Sequence, residues 1–127
     1  MTIIAIDIPI PPSTNAMYVP GKNRHTGKPG IFKSTSYRKW IKEAGQMVMA
    51  AGIMRGIKPI SGPFKAIITV DRQMSKADLD NTVKPVLDLA QRLNIITNDR
   101  NQVNTGVGWG TAPQGCRLTI IPVTESE

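Results

Sequence analysis

Apolar positions along this chain follow two rhythms. Short Ile- and Val-rich or alternating runs predict strands at "TIIAIDI" (Thr2 to Ile8), "FKAIITVD" (Phe64 to Asp71), "VNTGVGW" (Val103 to Trp109) and "RLTIIPV" (Arg117 to Val123). A helical period links Tyr37, Trp40, Ile41, Ala44, Met47, Val48 and Ala51 into one face, with Arg38, Lys39 and Lys42 on the other side. Ser34 or Ser36 can cap the start of that helix and Gly52 can end it. A second helix is expected from about Asp80–Thr82 to Leu93, burying Val83, Val86, Leu87, Ala90 and Leu93. Pro85 is tolerable there if it falls in the first turn, whose amides lack helical partners. Between these elements, the prolines of "PIPPSTN" end the first strand, and "PGKNRHTGKPGIFK" (residues 20–33) reads as an exposed, mobile basic loop. "GIKPISGP", "RQMSKA" and "GTAPQG" are connections. "NIITNDRNQ" is a loop in which "NIITND" could form a short returning strand. The sum is an α+β fold: one small domain over residues 1–127, a mixed β-sheet with two main helices packed against it.

Charge changes this picture of an ordinary small domain. Sixteen Lys and Arg face nine Asp and Glu, a net charge of +7, which favours a polyanionic partner, nucleic acid first among them. A cationic domain with no such partner remains the plain alternative. Seven of the basic residues lie between Lys22 and Lys42 without one acid among them. The single cysteine, Cys116, allows no internal disulfide. It fits a reducing cytoplasm and reads as a buried or half-buried structural thiol. The N-terminal stretch lacks the basic lead of a signal peptide, and no apolar run approaches the ~18–20 residues of a membrane helix, so no membrane partner is expected.

Against that basic background, "KADLDNTVKPVLD" (residues 76–88) gathers Asp78, Asp80 and Asp88. Helix capping would account for one of the first two, and a solvated acidic turn beside Arg72 and Lys76 for both. The third reading is a metal site. In an extended segment residues two apart point to one side, so Asp78 and Asp80 would converge while Leu79 points to the core. Carboxylates without a His or Cys partner suit Mg²⁺ or Mn²⁺ rather than zinc. Asp99, on the loop after the second helix, is the natural third ligand, and Asp71 a weaker candidate. Asp88 reads as an (i, i+4) partner of Lys84. Lys84 itself could instead address a phosphate or pair with one of the other acids.

These residues resemble the RusA family of Holliday junction resolvases. The resemblance rests on "DLDN" (Asp78 to Asn81), Lys84, "LD" (Leu87, Asp88) and "NDRNQV" (Asn98 to Val103), together with "IPIPPSTN" (Ile8 to Asn15) and "YRKW" (Tyr37 to Trp40). It therefore spans nearly the whole chain, although "DRNQV" is one residue longer than the family's usual D-x-Q-V. The resemblance implies a RusA-like homodimer with two symmetry-related sites. It implies Mg²⁺-dependent cutting of a four-way DNA junction by paired nicks, in recombination and repair, in a phage or prophage setting. It assigns Asp78, Asp80 and Asp99 as metal-holding catalytic carboxylates and Lys84 as the catalytic lysine. Lys22, Arg24, Lys28, Lys33, Arg38 and Lys76 are then expected to hold the junction arms through phosphates. His25 is a further phosphate contact or a bystander. A non-catalytic nucleic-acid-binding module and a nuclease of broader branched-DNA or flap specificity remain the alternatives.

Overall fold

The computed structural model of the chain describes residues 3–13, 16–53, 55–75 and 78–123. The elements are β1 (Ile4–Ile8), β2 (Tyr18–Lys22), β3 (Pro29–Lys33), α1 (Thr35–Ala50), β4 (Phe64–Val70), α2 (Asp80–Arg92), a 3₁₀ turn (Asp99–Asn101), β5 (Gln102–Trp109) and β6 (Cys116–Pro122). Four strands form one sheet in the order β1-β6-β4-β5. β6 pairs antiparallel with β1 and β4, while β4 and β5 run parallel, so the sheet is mixed, in agreement with the expected fold class. The fold is α+β, a single small domain with two main helices.

Alternation decides which face of the sheet meets the helices. Ile4, Ile6 and Ile8 of β1, Phe64, Ala66, Ile68 and Val70 of β4, and Cys116, Leu118 and Ile120 of β6 are all buried. Tyr37, Trp40, Ala44 and Val48 of α1 close over them, joined by Val86, Leu87, Leu89 and Ala90 of α2. The residues between them on the strands face away: Asp7, Ile67 and Arg117 are among the open face, where Arg117 grips Asp7 through Nε at 2.8 Å and Nη2 at 3.2 Å. Cys116 is fully buried, as expected of a structural thiol, and burial pushes it up to about 12, so it is unreactive at neutral pH.

Helix α1 starts where the serine pattern places it. Ser34 Oγ accepts the Tyr37 amide at 3.1 Å, and its hydroxyl donates to the Ala16 carbonyl at 2.6 Å. The helix stops before Gly52, whose φ of 73° suits a residue without a Cβ. Trp40 is core, with its indole N–H satisfied by the Pro9 carbonyl at 2.8 Å.

Two local expectations are corrected. Residues 20–33 are not an irregular loop: β2 and β3 pair antiparallel from Tyr18↔Lys33 to Lys22↔Pro29 as a projecting hairpin. Asn23 builds its tip. The side-chain oxygen accepts the amides of His25 and Thr26 at 2.8 and 3.0 Å, and its own amide bonds the Lys28 carbonyl at 2.9 Å. The prolines are admitted because a two-stranded ribbon has open edges on both sides. The second correction concerns Pro85. Because α2 begins at Asp80, Pro85 sits in the second turn and removes the amide that would complete the rung to Asn81. Its ring is buried against the core instead.

Helix α2 links two parallel strands, so it runs back along the sheet. Its N-terminus lies at the end of the sheet where β4 and β5 finish, at Val70 and Trp109. The C-terminal end returns to where β4 and β5 begin. The Ile60 amide bonds the Ile95 carbonyl at 2.9 Å, and the Thr97 amide bonds the Ile60 carbonyl at 3.0 Å. The predicted returning strand "NIITND" is reduced to one parallel bridge, Ile60↔Ile96. This antiparallel passage of α2 over β4 and β5 positions every acid discussed below.

Candidate active site

Asp78 and Asp80 stand at the entry to α2, both exposed. The entry is already helical rather than extended: Leu79 has φ −58° and ψ −42°, and the Asn81 and Thr82 amides bond back to the carbonyls of Asp78 and Leu79 at 3.2 and 3.0 Å. This corrects the argument from alternation. Residues two apart on a helical turn lie about 200° round from each other, so their backbone does not aim them to one side. Leu79 does pack against the core as expected. Neither is the N-cap, which is Leu79 with no side-chain bond, but Asp80 does stand in the first turn of α2, where the helix dipole favours an acid. Nor do they balance Arg72, whose guanidinium lies over the Trp109 ring, 5.9 Å from its centroid. Among the described residues, no hydrogen bond or ion pair engages the carboxylate of Asp78 or Asp80. Lys76 lies outside the described residues.

The acids further along are placed differently. Asp88 is half-buried, pairs with Lys84 at 3.8 Å as the (i, i+4) spacing predicts, and lines one cleft with Tyr37, whose hydroxyl is close enough to favour its ionised form. Burial raises the Asp88 carboxyl above the usual carboxylate range, and nearby Asp99 adds to the rise. Lys84, Arg92 and the Tyr37 hydroxyl oppose it. Burial, reinforced by Asp88, pushes Tyr37 up to about 12. Asp99 sits in the 3₁₀ turn, its amide donating to Gln91 Oε1 at 3.0 Å, while Asn98 caps that turn by accepting the Arg100 amide at 2.9 Å. Asp71 is committed locally: its side chain accepts the Gln73 amide at 2.9 Å in a turn.

Within one chain, then, Asp99 lies beside Asp88 and Gln91, not beside Asp78 and Asp80. From Asp80 to Gln91 the helix advances roughly 16 Å at ~1.5 Å per residue. Among the described residues, no group of three or more His, Cys, Asp or Glu is placed to hold a metal ion. The acids of the sequence motif divide between two poles of α2. Lys84 lies between them, its side chain 57% exposed.

The basic hairpin joins the second pole. A cleft of about 360 Å³ is lined by Tyr18 and Lys33 from the hairpin base, Tyr37 from α1, and Asp88, Gln91 and Arg92 from α2. Tyr18 meets Tyr37 edge-on at 5.9 Å. Lys22, Arg24 and Lys28 project from the exposed hairpin, and Arg38 Nε donates to the Lys33 carbonyl at 3.2 Å, bracing its base. His25 is exposed at the tip. The sequence reading did not single out Tyr18, Gln91 or Arg92. Tyr37 and Asp88 were assigned to helix faces separately, and nothing in a linear pattern pairs a tyrosine with an acid 51 positions away.

No helix among the described residues is long and apolar enough to cross a membrane. No protein-family model matches the chain, and no curated protein matches it either.

Proposed function

We propose that this chain is a Mg²⁺-dependent endodeoxyribonuclease that works as a homodimer and resolves four-way DNA junctions by paired nicks. The observation that carries the reading is the state of Asp78 and Asp80: two exposed carboxylates, engaged by nothing among the described residues, in a chain of net charge +7. Acids that are built into the fold here have partners. Asp7 holds Arg117, Asp71 shapes a turn, and Asp88 meets Lys84 and Tyr37. The donor set is carboxylate oxygen alone, which fits a hard divalent ion such as Mg²⁺, with Mn²⁺ as a substitute. Asp78 and Asp80 would hold it, joined by Asp99 only from the second copy of the homodimer, because within one chain Asp99 lies at the other pole of α2; once bound it supplies polarisation of the scissile phosphate.

The chain's own groups supply the rest. Lys84 is tied to Asp88 only by a 3.8 Å contact and is mostly exposed, so its ammonium can swing to a phosphate oxygen and offset developing charge. Lys22, Arg24, Lys28 and Lys33 on the hairpin, with Arg38 at its base, give the arms of a branched DNA a cationic surface read through phosphates. The order of motifs shared with the RusA family favours a four-way junction over other DNA, and a two-fold protein matches a two-fold junction.

Cleavage of a labelled mobile four-way junction, a flap and plain duplex, each with Mg²⁺, Mn²⁺ or chelator, tests the reading. Symmetric paired nicks on the junction that vanish with chelator are expected. Binding without cutting in either metal would leave a non-catalytic module, and equal rates on all three substrates would leave a nuclease of broader specificity.

A further inference from the structure

The two tryptophans of the chain have opposite settings. Trp40 is core, 4% exposed, while Trp109, the last residue of β5, is 40% exposed. The strands fix where the open ring stands. Trp109 is the register partner of Val70, which is buried on the helix-bearing face, and Val107, two residues back in β5, packs against the core. Alternation therefore puts Trp109 on that same face, at the end of the sheet where α2 begins. Asp78 and Asp80 stand at this end of α2. The backbone around the ring is pinned. The Gly110 amide bonds the Val70 carbonyl at 3.0 Å, and a Cβ on Gly110 would meet Thr69 Cγ2 at 2.7 Å, so the strands approach closely there. The Asp71 amide bonds the Gly115 carbonyl at 2.9 Å, and the Met74 and Ser75 amides return to the Asp71 carbonyl at 3.1 Å. That turn presents Arg72, exposed, with its guanidinium carbon 5.9 Å from the centroid of the Trp109 ring. No carboxylate among the described residues pairs with Arg72.

We propose that Trp109 and Arg72 form a stacking platform for an unpaired nucleobase of the DNA, at the end of α2 that carries Asp78 and Asp80. This deepens the nuclease reading and rests on its DNA ligand. An indole offers a π-face that any base can cover, so the platform is tolerant of sequence. A guanidinium beside it adds a planar cation, which can lie against a base or reach the phosphate next to it. Bases within a duplex already stack on their neighbours, and bringing one out costs least where it is unpaired. The platform therefore sets DNA with an open base above plain duplex. A base held there brings its flanking phosphates to the acids' end of the helix. The ring suits a flat ligand better than a protein partner. Its neighbours along the chain, Gly108 and Gly110, carry no side chain, so it stands alone, and one ring falls far short of the roughly 800 Å² that each side of a stable protein interface buries.

Intrinsic fluorescence reads this directly, because Trp40 is buried and Trp109 is not. Titrations with a short single-stranded oligonucleotide, a four-way junction and plain duplex, all in chelator, separate binding from cutting. The single strand and the junction should quench the exposed tryptophan, and the duplex far less. Trp109→Leu keeps apolar bulk without a π-face. It should weaken binding of the single strand and the junction about tenfold, the worth of one stacked base, and leave the duplex within about twofold. Trp109→Phe should recover most of the loss. The salt slope should stay unchanged in both variants, since no phosphate contact is removed. Trp40 is then the one tryptophan left, and its emission reports an intact core. If Trp109→Leu binds single strand and junction like wild type, or weakens on all three DNAs equally, the platform is overturned and the nuclease reading stands on its own cleavage assay. Quenching and the tenfold loss in a protein that never cuts with Mg²⁺ or Mn²⁺ would sustain the platform and end the nuclease reading. If wild type binds none of the three DNAs, both fail. Emission that follows protein concentration and ignores DNA would make the ring a contact between copies and overturn the platform.

Discussion

At the N-terminal end of α2, Asp78 and Asp80 stand exposed with no partner among the described residues; toward its C-terminal end, Asp88 is half-buried between Tyr37 and Lys84, and the Asp99 backbone is fixed by Gln91. On paper these are aspartates of one motif. In space, one pole is packed into the fold, and the other stays exposed at the first turn of α2. A chain that has already met the desolvation and repulsion costs of its acids at one pole holds two bare acids at the other, where a cation and a polyanion would both be accommodated.

The largest expected effect separates the poles by activity. Asp80→Asn should lower junction cleavage by more than the ~10–100-fold that even outer-shell partners of a metal are worth. Its stability should stay within about 0.5 kcal/mol of wild type, because an exposed, unpartnered side chain is being replaced. Asp88→Asn should do the reverse, altering stability and its pH dependence while junctions are still nicked. Cleavage surviving in Asp80→Asn, or abolished only in Asp88→Asn, would reverse the assignment of the two ends. Nicking of the labelled junction, set beside urea midpoints, reads both.

Next comes Tyr37→Phe. Its hydroxyl faces Asp88 in a partly buried setting, so losing it should cost about 1 kcal/mol, the order of one polar contact. Tyr37 also titrates near 12, above its unfolded value of about 10. A group whose folded pKa is raised stabilises fully below the unfolded pKa and loses that contribution as pH climbs through the folded one. Wild type should therefore lose stability between about pH 10 and pH 12, and Tyr37→Phe should show a shallower decline there. Parallel alkaline declines would mean that Tyr37 is not held in its neutral form by this pole.

How much of this was legible in the sequence depends on the range over which each cause acts. Strand alternation and the Ser34 cap are local, so β1, β4, β6 and α1 follow from the pattern within a few residues. The (i, i+4) pairing of Lys84 with Asp88 is local too. The hairpin at residues 18–33 was missed because Gly and Pro, which usually punctuate loops, here occupy a ribbon whose order comes from Asn23 at its tip. The alternation argument for Asp78 and Asp80 failed because the helix begins at Asp80 with Leu79 already helical, and no residue there signals the change of period. The place of Asp99 at the far pole is a property of topology: a helix between parallel strands must run back, whatever its acids do.

The basic hairpin offers a smaller effect, independent of the acids' chemistry. Lys28→Ala, at an exposed position just before β3, removes one candidate phosphate contact without touching the core. Junction affinity should fall modestly, and the slope of log affinity against log salt should shrink by about 0.9. An unchanged slope would mean that the DNA arms lie elsewhere, and that the cationic hairpin and the Asp88 pole it flanks do not share a ligand.

The smallest expected effect is the pH dependence of Asp88 itself. Burial is the main cause of its raised pKa, so the folded chain holds that proton to a higher pH than the unfolded chain does. The contribution is fully present below the ordinary carboxylate value of about 3.9 and is lost as pH rises through the raised one. Asp88→Asn removes the titration, so the variant should gain on wild type as pH rises through that acidic window and hold a constant difference above it. Part of the gain is offset by losing the exposed Lys84 pair, worth about 0.3–0.5 kcal/mol. Urea midpoints of both proteins across acid to neutral pH give the difference directly. A variant that instead loses ground as pH rises would show Asp88 to be stabilised as an anion, with Lys84, Arg92 and the Tyr37 hydroxyl outweighing its burial. The Asp88 pole would then be a satisfied ion-pair network rather than a site where the fold bears the cost of a half-buried charge.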